Sequence, residues 1–210
     1  MSVVVAIKQE GKVFIGADSQ VTKGGTRQTL NNPNNYKIWK VRGADHCLMA
    51  HVGAVRDANV IRIMRGLVDE LTILRDEVDF EYMVAQIVPT ILDQLRRYRY
   101  IGDSSSEAFS AMESDFLFAY KDRLFLINRD GCVIEVDDCI AIGSGSPEAI
   151  GSVLSTDSAS PEERIIKAIR ATAAADIYVD YPIILTDTQE TKFTVITEKT
   201  EHKYLKGENK

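Results

Sequence analysis

The chain of 210 residues carries 25 basic and 31 acidic side chains, a formal net charge of −6. This length suits one domain, and a hydrophobic content of 45% excludes disorder as the main state. No apolar run approaches the roughly 20 residues a membrane-spanning helix needs, and the acidic balance argues against a nucleic-acid partner, which a basic patch would serve.

Val3 to Lys8 and Lys12 to Ala17 read as a strand pair joined at hairpin spacing by Gln9, Glu10 and Gly11. Asp18 opens a polar stretch containing Gly24 and Gly25, and Asn31 to Asn35 with Pro33 is a loop signal. Tyr36 to Val41 and Cys47 to Val52 read as a second strand pair. Helical spacing follows in Val60, Met64, Leu67, Val68, Leu71 and Leu74. It returns in Val84, Ile87, Val88, Ile91, Leu92 and Leu95, with Asp79 as N-cap and Pro89 expected to kink the helix. Arg96, Arg97 and Arg99 close that pattern, where cations complement the helix dipole. Gly102 to Ser106 reads as a loop.

Strands are expected again at Asp115 to Tyr120, Leu124 to Asn128, Val133 to Val136 and Ile140 to Ile142, with a tight turn at Arg129-Asp130-Gly131. A short helix starts at Ser146 as cap with Pro147 behind it, and Ser160-Pro161-Glu162-Glu163 is a capping box for a helix faced by Ile165, Ile166, Ile169 and Ala173. Ile183 to Thr186 and Phe193 to Ile196 close the series as strands, making 2–197 one domain followed by a charged tail at 198–210. Hairpins separated by helix pairs are not a βαβ alternation; two antiparallel sheets face to face with helices on both outer sides satisfy the order. The fold expected is therefore α+β, a four-layer αββα sandwich. Cys47, Cys132 and Cys139 contain no C-x-x-C pair and read as core thiols of a reducing compartment. With no secretory leader pattern, the expected location is the cytoplasm.

Three features carry chemistry. Ser2 follows Met1, and removal of the methionine would leave a hydroxyl beside a free α-amine, which can act as general base for it. Ala17-Asp18-Ser19-Gln20-Val21-Thr22 places an acid directly after a strand. Ile142-Gly143-Ser144-Gly145-Ser146 is a glycine–serine turn into a helix, without the spacing of a P-loop or a dinucleotide site. Each has an ordinary structural reading alone: a common second residue, a turn former, a tight turn.

Together with Ser2-Val3-Val4-Val5-Ala6, Gly11-Lys12-Val13, Lys37-Ile38 and Asp176-Ile177-Tyr178-Val179, these features resemble an HslV-type peptidase. That family is the bacterial relative of proteasome β subunits, within the N-terminal nucleophile hydrolases. The resemblance spans about residues 2 to 185, and the interval from Ser2 to Asp18 equals the family's from nucleophile to acid. It implies that Ser2 is the nucleophile in place of the family's threonine. Lys37 is then the lysine beside it, Asp18 that lysine's partner, and Ser144 and Asp176 hold the α-amine and a water. The oxyanion donor is expected at the backbone N–H of His51. Lys40 is a competitor for the lysine role on position alone.

Departures from the family are the serine itself, three extra residues between Asp18 and Lys37, and His51 where glycine is usual. The resemblance implies a self-compartmentalising endopeptidase that needs no cofactor or metal. Its subunits would form a homo-oligomeric ring or double ring acting on polypeptides, fed by an ATP-dependent unfoldase. A small-molecule amidase of the same hydrolase class, or an inactive ring subunit, are the alternatives.

Overall fold

The computed structural model describes residues 2–69, 72, 78–98, 112–190 and 192–197. The apolar run at the start is strand-sized because β1 (Val4–Gln9) is covered on both faces. Val4 and Ala6 face a core between two sheets, while Val3, Val5 and Ile7 face helices. Burying each of these valine and isoleucine side chains is worth about 1.5–3 kcal/mol. Strand β2 (Lys12–Ala17) pairs antiparallel with β1 through a tight turn at Glu10 and Gly11, both at positive φ.

Asp18 leads into a hairpin absent from the sequence reading, β3 (Gln20–Lys23) and β4 (Thr26–Thr29). Its turn is Gly24-Gly25, with φ of +57° and +79°, the conformation that two-residue hairpins require. The asparagine-rich loop contains a 3₁₀ turn, Pro33–Asn35, capped by Asn32. Strands β5 (Ile38–Lys40) and β6 (Cys47–Gly53) follow.

The first helix departs from expectation. α1 is Val55–Arg62 and stops well before Leu67 and Val68, which are buried without being helical. Leu71 and Leu74 lie outside the described residues, as do Arg99, 102–106 and the tail at 198–210. The second helix begins where expected, with Asp79 accepting the Tyr82 N–H at 2.8 Å. It runs Phe80–Tyr82, passes through a π turn, Met83–Ile87, and continues as α2 (Val88–Arg97). The Pro89 ring presses on the carbonyl four residues earlier. That residue is Ala85, in the middle of the π turn, so the expected kink is taken up as a local widening. Val84, expected on the buried face, is 47% exposed.

β7 (Ser114–Tyr120), β8 (Arg123–Ile127), β9 (Val133–Glu135) and β10 (Cys139–Ile142) follow closely the spans expected. α3 (Ser146–Leu154) is capped by Gly145, one residue before the serine proposed as its cap. α4 (Pro161–Ala175) is capped by the Ser160 hydroxyl, which accepts the Glu163 N–H at 3.3 Å. β11 (Ile183–Asp187) and β12 (Thr194–Ile196) end the series.

Two five-stranded antiparallel sheets result, in the orders β10-β1-β2-β11-β12 and β5-β6-β7-β8-β9. Their facing surfaces share the core of Val4, Ile15, Ala17, Leu48, Ala50 and Leu117. α3 covers the first sheet through Ala149 and Val153, and α4 through Ile165, Ala168 and Ile169. α1 and α2 cover the second through Ala58, Ile61, Ile91 and Leu95. This is the four-layer αββα sandwich. Of the three cysteines only Cys47 is buried; Cys132 is exposed and Cys139 intermediate, which corrects the core-thiol reading for those two. Among the described residues no helix is long and apolar enough to cross a membrane, and no cluster of three metal-ligating side chains occurs.

Candidate active site

Four chain segments converge at one end of the sandwich because the strands that carry them start or stop there. β1 leaves from Ser2, β2 ends at Asp18, β5 begins just after Lys37, and β10 runs into the Gly143-Ser144-Gly145 turn. Strand register sets their depth: Val4 pairs with Ala17 on one side and Ile142 on the other. Ser2, Asp18 and the Gly143 turn therefore lie side by side.

Lys37 is 2% exposed, not the surface lysine an isolated strand would present. Its ammonium has three N–H groups, and all three are placed. Nζ lies 2.7 Å from Ser2 Oγ, 2.6 Å from Asp18 Oδ1 and 2.7 Å from the Gln20 carbonyl. The Asp18 carboxylate is as fully engaged. Oδ1 also accepts the Val3 N–H at 3.0 Å, and Oδ2 accepts the Gln20 N–H at 2.9 Å. Burial pushes Asp18 above the ordinary carboxylate value and Lys37 below the ordinary lysine value, each opposed by the other's charge. A buried charge pair persists only when its remaining hydrogen-bonding capacity is met, and here backbone groups meet it.

Ser2, 6% exposed, meets the glycine–serine turn on its other side. Its N–H donates to Ser144 Oγ at 3.3 Å, and the Ser144 hydroxyl donates to Asp176 Oδ2 at 2.9 Å. Asp176 Oδ1 accepts the Tyr178 N–H at 2.8 Å, which fixes the carboxylate. The glycines of the turn make this approach possible. A Cβ on Gly143, at φ +102°, would sit 2.1 Å from the Ser2 carbonyl oxygen, and one on Gly145 would sit 2.1 Å from Thr172 Cγ2. The structure thus brings Ser2, Asp18, Lys37, Ser144 and Asp176 together. It leaves Lys40 elsewhere, with Nζ on the Glu190 carbonyl.

A family model described as "Proteasome subunit" matches residues 2–180. The chain belongs to the proteasome subunit family. It is similar to the ATP-dependent protease subunit HslV of Petrotoga mobilis, 26% identical over 181 residues, covering 84% of this chain and 91% of that protein. It is also similar to HslV of Borrelia duttonii, 27% identical over 186 residues, covering 87% and 94%. Among solved structures, Anbu (ancestral beta-subunit) from Yersinia bercovieri has a TM-score of 0.67 at 15% identity, covering 96% of this chain and 89% of that one. Thiobacillus denitrificans BPH has a TM-score of 0.64 at 21% identity, covering 88% and 96%. The fold is proteasome-like, and the chain is an HslV-like subunit of a protease family with an N-terminal nucleophile.

Within this proteasome-family site, the His51 expectation is corrected. Its backbone N–H donates to the Lys37 carbonyl at 3.0 Å as part of the β5–β6 ladder, so it is spent. Its imidazole, 3% exposed, packs between Trp39 and Phe116, and burial with the nearby Lys37 and Arg62 charges pushes its pKa down to about 3. It is therefore neutral at ordinary pH and a poor base.

An antiparallel strand alternates its N–H groups between its two neighbours. On β6 the His51 N–H goes to β5, and just past the strand the Ala54 N–H goes to Glu113 on the β7 side. Gly53, two residues beyond His51, therefore aims its N–H to the β5 side, past the point where β5 pairs with β6. Gln20 also escaped the sequence reading. Beyond its two backbone contacts with Asp18 and Lys37, its side-chain Nε2 donates to the Ile177 carbonyl at 3.0 Å and ties the Asp176 loop to β3. Its position two residues after the acid was the available signal.

Proposed function

We propose that the protein is a self-compartmentalising peptidase whose nucleophile is the Ser2 hydroxyl, freed by cleavage of the Met1–Ser2 bond. The observation that carries this reading is Lys37 Nζ lying 2.7 Å from Ser2 Oγ while Ser2 N faces the Ser144 hydroxyl. While Met1 is attached, Ser2 N is an amide and has no basic lone pair. Released, it is an amine with an ordinary pKa of about 7.7–8.0.

The amine takes the proton of Ser2 Oγ as that oxygen attacks the carbonyl carbon of a peptide bond. Lys37, pointing an N–H at the same oxygen, stabilises negative charge developing on it and holds the amine's positive charge in check. The Gly53 N–H is the donor assigned to the substrate's oxyanion. Collapse of the tetrahedral species breaks the C–N bond, and the proton held by the amine passes to the departing nitrogen. Water then attacks the Ser2 ester with the amine again as base, and Ser144 and Asp176 orient that water and the amine. The chemistry calls on no cofactor.

We assign the protein to a homo-oligomeric ring or double ring that acts on polypeptides in the cytoplasm, with an ATP-dependent unfoldase as its feeder. Light scattering and digestion of an unfolded protein test the assignment together. The expected mass is a multiple of the 23.4 kDa subunit, with short peptides as products. A monomer that hydrolyses only small amides would replace the peptidase with an amidase. A ring that hydrolyses neither would be an inactive subunit.

A further inference from the structure

β6 ends on a glycine, and the residues that follow do little to hold themselves in place. Gly53 stands at φ +115°, and a glycine leaves such a conformation as readily as it adopts it. The next residue, Ala54, is the N-cap of α1 and gives the helix no side-chain hydrogen bond; alanine is among the poorest caps. Yet the Gly53 N–H is the donor assigned to the oxyanion. Such a donor contributes most when it is aimed before the charge develops. The restraint on Gly53 therefore has to come from outside its own segment.

It comes from the start of β7 and the first turn of α1. The β6–β7 ladder closes with Gly53 opposite Ser114. One residue further out, the Ala54 N–H donates to the Glu113 carbonyl at 3.3 Å. The Glu113 N–H donates to a side chain, Asp57 Oδ2, at 2.9 Å. The Ala54 carbonyl accepts the Ser114 hydroxyl at 3.1 Å and the Asp57 N–H at 3.1 Å. Asp57 thus holds Glu113, Glu113 holds Ala54, and Ser114 holds the same residue from its carbonyl side. Asp57 and Ser114 are both buried, so water competes little for these bonds. The backbones are pressed together as well: a Cβ on Gly53 would sit 2.4 Å from the Glu113 carbonyl oxygen and 2.8 Å from Ser114 Cα.

We infer that Asp57 and Ser114 are positioning residues for the oxyanion donor, a clamp that fixes the direction of the Gly53 N–H by tying Ala54 to the start of β7. The inference rests on the peptidase reading, in which that N–H faces the substrate's developing charge. Neither side chain touches the substrate in this account; each acts through Ala54. A clamp of this kind leaves a particular signature. Its loss weakens the transition state and spares the bound peptide, because the charge on the carbonyl oxygen is small before attack.

The experiment compares the wild type with Asp57→Ala, Asp57→Asn and Ser114→Ala, per folded molecule. Each is assayed for kcat and KM on a fluorogenic peptide. Each is also titrated with a peptide aldehyde, which adds reversibly to the Ser2 hydroxyl and places its oxygen in the oxyanion position, and with the matching peptide amide, which does not react. Asp57→Ala is expected to lower kcat by ~10-fold or more, short of the ~10²–10³-fold that follows loss of the donor itself. KM should stay within about 2-fold, the pattern of an interaction made only in the transition state. Aldehyde inhibition should weaken along with kcat, and amide inhibition should not. Asp57→Asn keeps an oxygen for the Glu113 N–H and should recover most of the loss. Ser114→Ala should show a smaller fall of the same kind, and it decides the matter if Asp57→Ala folds poorly. Wild-type kcat in Ser114→Ala and in folded Asp57→Ala, or aldehyde and amide weakened by the same factor, would overturn the clamp alone. A wild type that hydrolyses no peptide would overturn the peptidase reading and the clamp with it.

Discussion

Ser2→Ala is expected to lower peptide hydrolysis by at least ~10³-fold, the scale on which removal of a nucleophile acts. The fold should survive it. The change deletes one oxygen ahead of β1 and takes an acceptor from Lys37 Nζ. That is about 1–3 kcal/mol for a buried donor left short of a partner, a fraction of a domain's stability. Initial rates on a fluorogenic peptide and a thermal melt of the same sample check both halves. Hydrolysis at the wild-type rate would remove Ser2 from the chemistry, whatever the melt shows.

Lys37→Ala should also cost activity, for a different reason. It removes the N–H aimed at Ser2 Oγ and the positive charge that disfavours protonation of the adjacent amine. Two effects are expected per folded molecule: a drop of ~10²-fold or more, and a displaced pH profile. Activity must rise with pH as the amine loses its proton. A like charge nearby moves that rise to lower pH, so removing it moves the rise to higher pH than in the wild type. The variant also leaves Asp18 buried without its counter-ion, a loss of about 3–5 kcal/mol, so profiles belong below its melting temperature. Lys40→Ala is the control and should do neither, since among the described residues Lys40 Nζ reaches only the exposed Glu190 carbonyl. A crippled Lys40→Ala protein with normal Lys37→Ala would reverse the assignment.

The parts of the site legible in the sequence are those whose geometry is local. Asp18 directly follows a strand, and Gly143-Ser144-Gly145 is a turn that only small residues could press against Ser2. The choice between Lys37 and Lys40 was not local, because burial of an ammonium depends on acceptors from Ser2, Asp18 and Gln20, which only the packed sheets bring together. The family resemblance, rather than periodicity, singled out Lys37. His51 was misassigned because a backbone donor's availability depends on ladder parity, and parity follows from the β5–β6 register.

The layers were readable from runs of apolar residues long enough for strands covered on both faces, such as Val3 to Ile7. Helix limits were less so. Leu67 and Val68 continue the helical spacing of α1 and are buried, yet the chain has already left the helix at Ile63 and turns at Gly66 with φ +70°. The sequence marks the β3–β4 hairpin only as a polar stretch, because most of it faces solvent and lacks the apolar alternation that marks a half-buried strand.

Intact-mass spectrometry of the wild-type protein, quenched in acid while it turns over an excess of a peptide ester, tests most directly whether the Ser2 hydroxyl with its own free amine is the catalytic unit. The account predicts that the working species lacks Met1 and that a fraction of it carries one acyl group, located by peptide mapping on Ser2. Full activity in protein that retains Met1, or an acyl group mapped to any other residue, would contradict it.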